Sequence, residues 1–180
     1  MSQIIVADYD QTWPARFEAL RAQIWPHVHD VARGLEHVGS TSVPGLAAKP
    51  TIDLTIVAQS ASHVVVNIER LESLGYAHRG DLGIPGREAF SQPDDLPSHH
   101  LYVCPPDNLA LENHLAVRNH LRANPAVAAE YGQLKKRLAE QFPNDMDRYI
   151  EGKSSFLTRI LHASGLTPDQ LAQIEAVNRA

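Results

Sequence analysis

The chain has 180 residues, 43% of them hydrophobic and 21% charged, with a formal net charge of −5. That length and apolar content suffice to bury a core without covalent staples, and the acidic balance argues against a broad nucleic-acid-binding surface, which needs a basic excess. A single cysteine, Cys104, excludes a disulfide framework and a cysteine-based zinc cluster within one chain, and it points to a reducing, cytoplasmic setting. No window approaches about 18 consecutive apolar residues, so no membrane span is expected; the start, Met1 to Asp8, has no basic region followed by a long apolar run, so it does not read as a signal peptide.

In chain order, Ile4–Val6 is a short apolar run that reads as an edge strand or an extended lead-in. Thr12 looks like an N-cap with Pro14 just inside the helix start. Phe17, Leu20, Ile24 and Val28 then recur at helical spacing, which predicts a helix over 13–28. Leu35–Val38 is a short strand candidate, and Gly39 to Ala48 is a loop rich in Gly, Ser, Thr and Pro. Thr51–Val57 reads as a strand, with Ile52, Leu54 and Ile56 on one face and Thr51, Asp53 and Thr55 on the other. Ala61–Leu74 reads as a helix stopped by Gly75. Glu88–Phe90 and His99–Cys104 are candidates for two antiparallel strands joined through residues 91–97.

From about Asn108 the texture becomes helical, over roughly 108–123, 125–141 and 145–163, punctuated by Asn124-Pro125 and Phe142-Pro143-Asn144. A last helix, 168–178, opens with Thr167 as N-cap and Pro168 at the first position. The expected fold class is α+β, a small mixed sheet with flanking helices. The expected division is an α/β core over residues 1–107 and a helical region over 108–180, packed as a single compact unit.

Chemistry concentrates between His37 and Val57. Backbone N–H groups and hydroxyls of Gly39, Ser40, Thr41 and Ser42 can form an anion nest for phosphate, with Lys49 adding positive charge; a plain polar turn would carry the same residues. Asp53 stands mid-strand on a wholly polar face, which fits a cleft and a hard cation such as Mg²⁺, or else the solvent side of an antiparallel sheet. His100 and Tyr102 share a strand face with Cys104, so His100 is a candidate acid/base or metal ligand if that face meets Asp53. Cys104 lacks an activating base, so it reads as inert. In the helical half, Arg118, Lys135 and Lys153 each sit on or beside an inward face, with Tyr149 four residues before Lys153. Buried cations need an anion. A phosphate-rich ligand, joined from the other side by Arg87, would supply it; solvated heads on snorkelling stems are the alternative.

A Gly-Ser pair, twelve intervening residues and an aspartate on a strand resemble the nucleotidyltransferase superfamily. That resemblance implies a loop that binds triphosphate and two carboxylates, two residues apart, that hold metal; here the second position is Thr55. The run from His37 through Gly39-Ser40-Thr41-Ser42-Val43-Pro44-Gly45 to Lys49-Pro50-Thr51-Ile52-Asp53 resembles, more closely, the signature of the GrpB family. Tyr9 to Pro14, Gly86 to Phe90, His99 to Val103, Tyr131 to Lys135, Tyr149 and Lys153 agree with it, so the resemblance covers roughly residues 4–162. It implies a nucleotidyltransferase-like fold and a nucleotide or phosphorylated small molecule as ligand, with Mg²⁺ at Asp53. Three functions follow as expectations: nucleotidyl or phosphoryl transfer, a non-catalytic nucleotide-sensing or partner-binding module, and metal-assisted hydrolysis through Asp53 and His100.

Overall fold

The structure is a computed structural model that describes residues 3–178. Met1, Ser2, Arg179 and Ala180, the outer ends of the two expected domains, lie outside the described residues. The chain divides into two compact units: residues 12–38 with 51–112, and residues 1–11, 39–50 and 113–180.

The first unit is built on a five-stranded mixed sheet. Its strands are β1 (Ala32–Val38), β2 (Ile52–Ala58), β3 (Ala77–His78), β4 (Glu88–Ser91) and β5 (His99–Cys104), in the order β1-β2-β5-β4-β3. β2 and β5 are parallel, and every other neighbouring pair is antiparallel. Helices α1 (Trp13–Val28) and α2 (Ala61–Ser73) belong to the same unit. α1 buries Trp13, Phe17, Leu20, Ile24 and Val28, the stripe its spacing predicts, and Phe17 stacks on His37 of β1 with ring centroids 4.7 Å apart. His37, Leu54 and Leu101 therefore share the helix-covered face, while Val38, Asp53 and His100 are turned to the other.

Several local expectations need correction. Thr12 precedes α1 but makes no side-chain capping bond, because its backbone is already helical. β1 begins at Ala32, three residues early, with an irregularity between Ala32 and Gly34 that breaks the alternation sequence reasoning relies on. β3 is only two residues long, too short to show a period. Thr55, expected on an open polar face, is fully enclosed.

The second unit holds most of α3 (Leu109–Ala123), then α4 (Pro125–Gln141), α5 (Met146–Ala163) and α6 (Pro168–Asn178). Val43, Leu46, Leu121, Ala128, Tyr131, Phe156 and Ile160 form one apolar cluster; Ile4, Leu138, Ala139 and Tyr149 form another. In α5, Tyr149, Phe156 and Ile160 are buried, whereas Met146 and Ile150, in the first turns, are exposed. Thr167 caps α6 as expected: its Oγ1 accepts from Gln170 N, and Gln170 Oε1 accepts in return from Thr167 N.

Candidate functional site

In the strand unit, register alone assembles the polar face. Asp53 pairs with Val38 on one side and His100 on the other; Thr55 pairs with Glu36 and Tyr102; Val57 pairs with Cys104. Register partners share a face, so Asp53 and His100 project side by side. His100 Nδ1 donates to Asp53 Oδ1 at 2.7 Å, which leaves Nε2 as the ring nitrogen not engaged by the carboxylate. The pair is partly open, with the aspartate side chain 27% and the histidine 52% exposed.

Tyr102 lies one step further along β5, its ring centroid 6.4 Å from that of His100. Arg87 stands just before β4, its guanidinium carbon 4.4 Å from the centre of the Tyr102 ring. Burial, followed by the negative charge of Asp53, pushes the Tyr102 hydroxyl up, while Arg87 pulls it down. Cys104 is enclosed and burial raises its thiol to about 12, so it is no nucleophile near neutral pH. The backbone leading into Arg87 is held at two points. Gly86 adopts φ +75, a conformation L side chains rarely take, and Asn108 Nδ2 donates to Pro85 O at 3.0 Å. Asn108 Oδ1 also accepts from Ala110 N and Leu111 N, capping α3.

In the helical unit, the Gly39–Ser42 loop is a turn of 3-10 helix seated on helices. Gly39, at φ 69, starts the turn. Arg122 Nε donates to Ser42 O at 2.9 Å, Val43 and Leu46 enter the apolar cluster, and Gly132 of α4 gives the backbone of Ala47 room to approach. Ser42 Oγ donates back to Gly39 O at 2.6 Å and Thr41 is buried, whereas Ser40 and Lys49 are half-buried. Lys135 is buried with its ammonium 4.6 Å from the centre of the Tyr131 ring, and Lys153 lies 4.4 Å from the centre of the Tyr149 ring, so each cation rests on the tyrosine one turn before it. Arg118 Nε donates to Asn119 Oδ1.

Sequence reasoning passed over three residues that matter to this arrangement. Glu36 is a second carboxylate on the Asp53 face, beside Thr55, and its Oε1 turns toward Gly34. Glu36 lies within the Leu35–Val38 strand candidate, but its place beside Thr55 depends on the β1–β2 register, which no local pattern encodes. Gly86 and Asn108 hold Arg87 in place, and only their contact across the chain shows it.

A small mixed sheet with these flanking helices is of the nucleotidyltransferase type. The fold is shared with the Cid1 poly(U) polymerase, solved with Mg 3'-dATP bound, at a TM-score of 0.53 and 14% identity over 83% of this chain and 50% of that one. Within that class the chain belongs to the GrpB family: the match to the family described as GrpB protein spans residues 3–163. The crystal structure of GrpB from Enterococcus faecalis is similar at a TM-score of 0.79 and 35% identity, covering 89% of this chain and 96% of that one. UPF0157 protein YqkA of Bacillus subtilis is 36% identical over 149 residues, 83% of this chain; this match spans only 43% of that relative's length. Among the described residues no helix is long and apolar enough to cross a membrane.

Proposed function

We propose that the protein binds a nucleotide or another phosphorylated small molecule at the sheet face that carries Asp53 and His100. The observation that carries the reading is the Asp53–His100 pair, held side by side by strand register on a sheet of nucleotidyltransferase type. The residues present fit one Mg²⁺. Asp53 is a partly open carboxylate with one oxygen hydrogen-bonded to His100, and Mg²⁺ binds through one or two carboxylates together with substrate phosphates. When bound there, the ion would neutralise phosphate charge. Asp53 orients the His100 ring and fixes its tautomer, so His100 Nε2 is the atom able to take or return a proton. Within the strand unit, Arg87 is the supporting cation of this reading.

A second reading, a non-catalytic nucleotide-sensing or partner-binding module, is favoured by Thr55. It stands where the resemblance places a second metal carboxylate, and it is enclosed. A panel of nucleotides with and without Mg²⁺, read by thermal unfolding, separates the two. Stabilisation that needs metal and disappears in Asp53→Ala supports the metal-bound ligand and transfer chemistry. Metal-independent stabilisation that survives Asp53→Ala supports the binding module. No response to any nucleotide rejects both.

A further inference from the structure

Arg87 is only 9% exposed, and it brings a guanidinium cation into the interior. Among the described residues no carboxylate pairs with it, and its Nε is enclosed without a hydrogen-bond partner. Its contact with the Tyr102 ring offsets only part of the cost of burying a cation. On the same face, Thr55 Oγ1 is likewise enclosed and without a partner, and Thr55 is the register partner of Tyr102. Arg87 lies against the Tyr102 ring and Thr55 is the register partner of Tyr102, so two enclosed polar groups without a partner stand beside the same ring. The Tyr102 ring itself is half-buried. Gly86 and Asn108 fix the backbone under Arg87, so the guanidinium is held for its partner rather than gathered around one after it arrives.

We infer that Arg87, held against Tyr102, is an oxyanion subsite that takes a phosphate or carboxylate group of a small ligand without a metal. It rests on the reading of this sheet face as the ligand face, and it adds a second anchoring point, separate from Asp53. A guanidinium fork matches either oxyanion with two parallel N–H···O bonds, which a lysine cannot reproduce.

The test uses the full chain in EDTA, with thermal unfolding and calorimetric titration against inorganic phosphate and against acetate, each compared with chloride at equal ionic strength. The wild type is expected to gain stability from at least one of the two; phosphate alone identifies a phosphoryl group, acetate alone a carboxylate. Arg87→Met should lose that response while remaining as stable as the wild type without anion, because an unpaired buried cation has been removed. Arg87→Lys, which keeps the charge, should bind at least about tenfold more weakly. An unchanged response in Arg87→Met or Arg87→Lys overturns the inference, as does a wild type that responds to neither anion. If nucleotide binding with Mg²⁺ requires Asp53 but oxyanion binding ignores Arg87, the subsite alone fails. If oxyanion binding requires Arg87 but no nucleotide binds, the nucleotide reading alone fails.

Discussion

His100 Nδ1 donates a hydrogen bond to Asp53 Oδ1 at 2.7 Å across two parallel strands in which the two residues are register partners. The contact follows from register, since neighbouring strands lie about 4.8 Å apart and paired residues project the same way. Both side chains are partly open, and exposed polar pairs of this kind contribute about 0–1 kcal/mol. His100→Ala and Asp53→Asn should therefore each move the unfolding free energy by no more than about 1 kcal/mol, measured by urea denaturation. A nucleotide response lost in variants that fold normally would place the pair in function. A stability loss of several kcal/mol would place it in the scaffold instead.

The loop ahead of β4 offers a second test. A Cβ on Gly86 would sit 2.6 Å from Asn108 Nδ2, and the backbone there has φ +75. Gly86→Ala combines a strained conformation, costing about 1–3 kcal/mol, with displacement of the side chain that caps α3. Asn108→Ala should cost about 1 kcal/mol for the lost cap and should also release the Pro85 carbonyl. Both variants should lower the urea midpoint, and both should weaken whatever Arg87 binds. A Gly86→Ala protein as stable as the wild type would show that this contact does not hold the loop.

Much of this was legible in the residues. The helices over 13–28, 125–141 and 168–178 match the structure because their apolar spacing and their proline starts speak locally. The residues suggest Asp53 and His100 as a pair only on the condition that their strands meet; that depends on β2 and β5 being parallel neighbours, and no local pattern encodes it. Thr55 was placed on the correct face; its enclosure was not legible, because alternation gives direction and not what lies above it. Lys135 and Lys153 each rest on a tyrosine one helical turn earlier, a pairing that the spacing of Tyr131 with Lys135 and Tyr149 with Lys153 already carries.

A buried histidine should set part of the acid sensitivity. His99 is enclosed; its Nδ1 donates to Pro97 O and its Nε2 accepts from the Tyr76 hydroxyl, which burial raises to about 12. Burial lowers the His99 pKa below its ordinary value of 6.5. The unfolded chain then binds this proton first as pH falls. The contribution is fully present above 6.5 and is lost as pH falls from there through the lower folded value. Chemical denaturation between pH 8 and 5 should show this decline, and His99→Gln should flatten it whatever its stability at pH 8. Parallel curves for the two proteins would remove His99 from the acid response.

The crossing of α4 and α5 is tight enough for one methyl group to matter. A Cβ on Gly152 would lie 2.4 Å from Leu138 Cδ2 and 3.0 Å from Cδ1, and Leu138 is packed in the cluster with Ile4, Ala139 and Tyr149. Leu138 cannot move without disturbing that cluster, so Gly152→Ala should cost about 1–3 kcal/mol by overpacking, despite the gain in helix propensity. Leu138→Ala alone should cost about 2–5 kcal/mol through the cavity it leaves. The new methyl group would partly fill that space, so the double variant should be more stable than the sum of the single losses predicts. A double-mutant cycle in urea measures the difference, and contacting residues typically couple by about 0.5–3 kcal/mol. Strict additivity would mean that the helices separate to admit the methyl group, and the close crossing would then play no part in holding Tyr149 and Lys153 where they stand.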